Sequence, residues 1–204
     1  MKKKLEDRLV KNLAEKIKNK YDVVYTNRKP SASPKVKEYL KKELGYIPIL
    51  QPEIDILLKD NLERLYAIEA KLFKGEITYS LPYYEGLGQA IALHKYGFDY
   101  AALYTFFLTD TNINSMNRYG AEIWTFIRND LCLPLDFTYF HVIEKENDYE
   151  FNVMQYSQRQ VGVKLIPIDD PRFNITFKHP NPIRDYPLPM KIREAIEKWL
   201  RNEL

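Results

Sequence analysis

The sequence predicts an α/β (α+β) fold in which helices flank a mixed central sheet. Three observations carry this prediction: an amphipathic first segment, two apolar runs joined by a short polar turn, and a helical segment between two apolar runs. At 204 residues, with 45% apolar and 29% charged residues, the chain is expected to be one globular domain with its own core.

The first fifty residues alternate between helical and strand patterns. A leucine or isoleucine at every fourth position predicts a helix over 3–19, and a β-rich run predicts a strand over 21–25. A second helix is expected over 34–44, because Pro34 suits a first turn and Gly45 suits a helix end.

The middle of the chain predicts a hairpin followed by a crossover. Strands are expected over 53–58 and 65–72, and their short polar connection favours an antiparallel pair. A helix over 83–96 and an apolar strand over 100–107 follow. Strands 65–72 and 100–107 should therefore be parallel, as in a βαβ unit.

The second half of the chain is expected to add helices and strands. The expected elements are a helix over 112–129, a hairpin of strands 137–144 and 149–154, a strand over 161–166, and a helix over 190–203. The prolines of 179–189 are typical of a linker.

Composition excludes several classes of site. A single cysteine, Cys132, excludes an intrachain disulfide and a cysteine-ligated zinc site, and its apolar sequence context predicts a buried thiol. The three histidines lack metal-ligand spacing. No membrane-spanning run or signal-peptide core is visible, so we expect a soluble cytoplasmic protein. A net charge of +3 permits an anionic partner.

Charged residues interrupt the two hairpin strands. Asp55 lies inside the first strand, and Glu69 and Lys71 lie inside the second. Because side chains alternate between the faces of a strand, pairing can bring all three onto one small patch. Glu53 shares the face of Asp55 and is a rival for its role.

This patch predicts one of two arrangements. Unpaired buried charges are costly. A divalent cation between Asp55 and Glu69, with the Ala70 carbonyl as a neutral ligand, would offset that cost, and hard oxygen ligands suit Mg²⁺ or Mn²⁺. Lys71 would then assist an attacking water. An ordinary ion pair between Lys71 and one carboxylate would satisfy the same residues.

The element order and the charged residues resemble the PD-(D/E)XK nuclease superfamily, which has a restriction-endonuclease-like αβββαβ core. The resemblance covers residues 1–107, with 29–50 as an insertion, and leaves 108–204 as a C-terminal extension with a hairpin and a helix. Asp55 in PEID matches the metal-binding aspartate of the family, and Glu69 to Lys71 match its E-x-K motif.

The resemblance implies a metal-dependent DNA nuclease that uses Mg²⁺ or Mn²⁺. Its catalytic residues would be Asp55, Glu69 and Lys71, with Glu6 of the first helix reaching the metal. Gln89 matches a glutamine that the RecB-like branch carries on the following helix, where it would position the water. Leu93 stands where that branch has a tyrosine.

The resemblance also implies a substrate and an assembly. An endonuclease is favoured, and similarity to archaeal Holliday-junction resolvases suggests a homodimer acting on branched DNA. Lys74, Tyr83 and Tyr84 follow the motif and would contact phosphates or stack on bases. Two alternatives remain at this point: a non-catalytic nucleic-acid-binding or assembly protein with the same fold, and a nuclease directed at RNA.

Overall fold

The computed structural model describes residues 2–50, 53–73, 85–146, 148–156, 163–170 and 177–204. Its helices are α1 (Lys2–Ile17), α2 (Pro34–Leu44), α3 (Leu87–Ala92), α4 (Ile113–Thr125) and α5 (Pro187–Leu200). Its strands are β1 (Val23–Arg28), β2 (Ile54–Lys59), β3 (Leu65–Phe73), β4 (Tyr100–Leu108), β5 (Asp136–Glu144), β6 (Tyr149–Tyr156) and β7 (Val163–Pro167). Short 3₁₀ or π turns, at Lys18–Lys20, Pro30–Ala32, Leu93–Tyr96 and Phe126–Asp130, flank several helices.

All seven strands form one mixed sheet whose spatial order follows the chain, from β1 to β7. β3, β4 and β5 run parallel, whereas the other neighbouring pairs are antiparallel. The predicted fold class is confirmed, because helices flank a mixed sheet on both faces. Residues beyond 107 continue this sheet, since β5 pairs with β4.

The alternation of side chains divides the core into two layers. Ile56 and Ile68 face α1, whose Leu9 and Leu13 are fully buried against them. Side chains on the other face of the sheet, such as that of Leu57, pack with α2, α3, α4 and α5. Because side chains alternate along a strand, those of Asp55, Glu69 and Lys71 lie on the same face of the sheet as Leu57, toward this second layer.

The predicted βαβ unit is confirmed, although its helix is shorter than expected. β3 and β4 are parallel from Tyr66↔Tyr100 to Phe73↔Phe107. α3 begins at Leu87, after Gly86 in a left-handed conformation with φ 84°, and changes to a 3₁₀ turn at Leu93. The expected residues 83 and 84 lie outside the described part of the chain.

The proline-rich segment is a packed connection, so the linker prediction is wrong. Asn181 is 3% exposed, and its side-chain amide donates to the carbonyls of His94 and Phe98 at 2.9 Å each. α5 begins at Pro187, because proline is well tolerated in a first helical turn. The segment therefore attaches α5 to the start of β4.

Asp99, the residue before β4, strengthens this attachment. Its carboxylate accepts the Leu65 amide at 2.8 Å and pairs with Arg184 at 3.2 Å and Arg193 at 3.1 Å. The side chain is 9% exposed, so these bonds are largely shielded from water.

Cys132 is exposed, and the expectation of a buried thiol is wrong. The residue has a left-handed backbone (φ 50°) in the turn before β5, and this turn directs the side chain to the surface although its neighbours in sequence are apolar. In the described ranges, none of the helices is long and apolar enough to cross a membrane.

Candidate active site

The candidate site lies where β2 separates from β3. The antiparallel ladder between these strands ends at Ile56↔Ile68, although β2 continues to pair with β1 as far as Ile54↔Arg28. The edge of β3 beyond Ile68 therefore needs other hydrogen-bond acceptors.

Two carboxylates replace the missing strand partner. Asp55 Oδ2 accepts the Ala70 amide at 2.7 Å, and Glu6 Oε2, from α1, accepts the Leu72 amide at 2.8 Å. Ala70 and Leu72 are two residues apart, so their amides point to the same edge of β3. Glu6 and Asp55, which are distant in sequence, are thus brought to one stretch of strand.

Glu69 and Lys71 lie next to these carboxylates. Lys71 Nζ donates to Glu69 Oε1 at 2.5 Å, and the two side chains are 12% and 3% exposed. The ion pair anticipated as one reading of the sequence is therefore present. It does not account for Asp55 and Glu6, which add two further carboxylates around a single ammonium group.

The pKa values reflect this surplus of carboxylates. Burial, reinforced by the charge of Asp55, raises the pKa of Glu69 to about 7. Burial also raises the pKa of Asp55 and of Glu6, although the amide bonds to Ala70 and Leu72 act in the opposite direction. Burial lowers the pKa of Lys71, but Glu69 and the other carboxylates outweigh it and raise the pKa. The site thus favours added positive charge, either protons or a cation.

Gly86 packs closely against the side chain of Lys71. A Cβ at Gly86 would lie 2.6 Å from Cγ of Lys71 and 3.0 Å from Cδ1 of Leu103. Only a glycine allows the start of α3 to approach the lysine this closely, and its φ of 84° also favours glycine. The first turn of α3 is therefore adjacent to the site.

The structure brings together Glu6, Asp55, Glu69 and Lys71, and Ala70 lies between the last two. Gln89 is exposed in the first turn of α3, one helical turn after the contact between Gly86 and Lys71. Lys74, Tyr83 and Tyr84 lie outside the described residues.

Glu53, the rival to Asp55, is engaged by lysines. Lys3 Nζ lies 3.1 Å from Glu53 Oε2, and Lys29 Nζ lies 3.6 Å from Oε1. Sequence reasoning missed both lysines, and the run MKKK at the start of the chain was the one signal of the first. A nearby pair, Lys2 with Glu85 at 2.9 Å, joins α1 to the residue before Gly86.

The carboxylates of the candidate site fit only a metal ion that needs few protein ligands. In the described ranges, no group of three or more histidine, cysteine, aspartate or glutamate side chains is arranged as a metal site. Mg²⁺, however, usually keeps several waters and uses one or two carboxylates. Asp55 and Glu69 meet that smaller requirement, and strand geometry directs the Ala70 carbonyl to the same edge as its amide.

Comparisons with known proteins add little to this description. No family model matches the chain, and no curated protein matches it. A weak similarity links it to the solved structure of Pyrococcus furiosus SfsA in complex with Ca²⁺, with 12% identity and a TM-score of 0.28. The matched region spans 56% of this chain and 56% of that protein, and the similarity is too low to support an argument about fold or function.

Proposed function

We propose that this protein is a Mg²⁺- or Mn²⁺-dependent DNA endonuclease of the PD-(D/E)XK type. The observation that carries the proposal is the convergence of Glu6, Asp55, Glu69 and Lys71 where β2 and β3 separate. A structural ion pair needs one carboxylate for one lysine. Three carboxylates around one lysine leave a negative surplus, which suits a divalent cation.

The residues that would hold the cation are Asp55 and Glu69, with the Ala70 carbonyl as a neutral oxygen and Glu6 beside them. Bound Mg²⁺ or Mn²⁺ would supply Lewis-acid chemistry, by withdrawing charge from a phosphodiester and lowering the pKa of water. The Asp55 carboxylate is held by the Ala70 amide, so its orientation is set before any ligand arrives.

Lys71 is the proposed electrostatic catalyst. Its ammonium group is largely buried and is held in place by Glu69 and by the contact with Gly86. From this position it would orient the attacking water and stabilise the negative charge that develops on the phosphate oxygens. Gln89 is proposed to hydrogen-bond the water or a phosphate oxygen.

The proposal extends to partners and location. DNA, including branched DNA, would be the substrate, a homodimer would be the working assembly, and the protein would act in the cytoplasm. These parts rest on the resemblance of the motif residues and on the mildly basic net charge of +3.

The test is cleavage of supercoiled plasmid, linear duplex and four-way-junction DNA with Mg²⁺ or Mn²⁺. The wild type should cut at least one substrate, and Lys71→Ala should lower the rate at least about 100-fold, as expected when a preorganised charge is removed. Lys191→Ala is the matched control, because Lys191 pairs with Glu43 and Glu194 on α2 and α5.

Three results would contradict the proposal in different ways. Equal rates for wild type and Lys71→Ala would exclude the proposed site. DNA binding without cleavage would favour a non-catalytic binding protein. Cleavage restricted to RNA would change the substrate class but leave the site in place.

A further inference from the structure

Two lysines from separate parts of the chain converge on Glu53, two residues before Asp55. Lys3 belongs to the first turn of α1, and Lys29 follows β1. They approach different oxygens of the same carboxylate, at 3.1 Å and 3.6 Å. The fold therefore places two ammonium groups around Glu53, next to the strand residue Asp55 of the candidate active site.

A residue with left-handed backbone, Asn27, lies two residues before Lys29. Asn27 has φ 52°, a conformation that is uncommon outside glycine. It falls opposite Asp55, because the flanking ladder pairs are Thr26↔Ile56 and Arg28↔Ile54. The position of Lys29 is thus coupled to the strand pair that carries Asp55.

The ion pairs at Glu53 are suited to exchange. The side chains of Lys3 and Lys29 are 71% and 54% exposed, whereas that of Glu53 is 16% exposed. Exposed ion pairs contribute little to stability, so their lysines can change partners readily. Two ammonium groups on one carboxylate also leave a net positive charge, in contrast to the negative surplus of the adjacent site.

We propose that Lys3 and Lys29 form a phosphate-binding pair that holds a DNA backbone phosphate beside the scissile bond. Glu53 occupies the pair until DNA displaces it. This inference rests on the proposed function, since it places the bound phosphate next to the site of cleavage. It assigns Glu53 as a competitor of the DNA phosphate and excludes it as a metal ligand.

The test measures binding of the 204-residue chain to a fluorescein-labelled DNA duplex by fluorescence anisotropy, over a range of salt concentrations without divalent metal. The double variant Lys3→Gln/Lys29→Gln should bind more weakly at every salt concentration. The slope of its log affinity against log salt concentration should be shallower than that of wild type by about 1, since the loss of one phosphate contact removes about 0.9.

Glu53→Gln distinguishes the competitor from a metal ligand. It should bind DNA about 2- to 5-fold more tightly, the factor that corresponds to the loss of an exposed ion pair. It should also retain metal-dependent cleavage. Weaker binding or abolished cleavage by Glu53→Gln would overturn the inference.

Lys191→Gln is the matched control, because Lys191 also contacts two carboxylates, but on α2 and α5. Its salt dependence should equal that of wild type. A double variant with an unchanged slope, or a wild type without salt-dependent affinity, would overturn the inference. In either case, metal-dependent cleavage that is sensitive to Lys71→Ala would leave the proposed function standing.

Discussion

The Asp55 carboxylate accepts the backbone amide of Ala70 at 2.7 Å, at the position where β2 no longer pairs with β3. One side chain thus replaces a ladder hydrogen bond and stands in the candidate metal site. A substitution that tests metal binding by Asp55 should therefore keep the hydrogen bond to the Ala70 amide. Asparagine does so, because its amide oxygen can accept the same hydrogen bond.

Asp55→Asn should abolish stabilisation by metal ions. At pH 8, above the pKa of about 7 for Glu69, saturating Mn²⁺ should stabilise the wild type by about 3 kcal/mol if the ion is present at about 100 times its Kd. Thermal unfolding with and without Mn²⁺ measures this effect. Asp110→Asn, at an exposed position, should retain the full shift. A Mn²⁺ shift that persists in Asp55→Asn would exclude Asp55 as a ligand.

Glu69 should make the metal-free protein less stable as pH rises. Its pKa is about 7 in the folded protein and 4.5 as the unperturbed value, so the folded state binds more protons between these pH values. The free energy of unfolding therefore falls as pH rises from about 4.5 to 7, by up to about 3 kcal/mol from this residue. Glu69→Gln should remove that decrease.

Urea unfolding at pH 5, 6, 7 and 8 tests the expected effect of Glu69. The difference in stability between Glu69→Gln and wild type should grow in favour of the variant up to pH 7 and then level off. Glu38→Gln, at an exposed position on α2, should parallel the wild type. A constant difference for Glu69→Gln would show that Glu69 ionises normally.

Alanine should have opposite effects at two glycines near α3. Gly86→Ala combines a positive φ with a contact of 2.6 Å to Lys71, and we expect a loss of about 1–3 kcal/mol together with slower cleavage. Gly88→Ala meets nothing within 4 Å and replaces a helical glycine, so stability should stay equal or rise by up to about 1 kcal/mol. Chemical denaturation and the cleavage assay measure both effects. Equal stability of the two variants would contradict the close packing at Gly86.

Asp99→Ala should loosen the attachment of α5. The substitution leaves the Leu65 amide without its acceptor and leaves Arg184 and Arg193 without a shared carboxylate, at a cost of about 2–3 kcal/mol. Asp185→Ala is the control, because Asp185 is 81% exposed and pairs with Arg184 at the surface. Hydrogen exchange should show faster exchange in α5 for Asp99→Ala alone.

The sequence predicts the fold well where local patterns decide it. Apolar periodicity predicts α1, and Gly45 ends α2 as predicted, with a left-handed backbone. The apolar run of β4 predicts a strand covered on both faces, and its parallel pairing with β3 follows from the intervening helix.

The candidate site was predictable only in part. Strand alternation assigns Asp55, Glu69 and Lys71 to one face, but it does not reveal where β2 and β3 separate. The separation of the two strands is accompanied by a contact from α1, because Glu6 accepts the Leu72 amide at the freed edge of β3. The lysines around Glu53 depend likewise on how distant segments meet.

The packing of the proline-rich segment 179–189 likewise could not be predicted from its local sequence. Four prolines indicate an absence of regular structure, but they do not indicate exposure. Asn181 supplies side-chain donors to two carbonyls in the turn that precedes β4, and so anchors the segment without helix or strand. An asparagine between prolines carries no local signal of that role.

The order of the strands has a consequence for how the chain reaches this structure. Every strand lies beside the strands that precede and follow it in sequence. The connections are short in the hairpins and longer elsewhere, as from Leu108 to Asp136, but no strand has to pair with one from a distant part of the sequence. During synthesis, β1 to β3 can therefore pair before the ribosome has released β4, and each later strand finds a finished edge on which to dock. The carboxylates of Glu6, Asp55 and Glu69 would then come together while the second half of the protein is still being made.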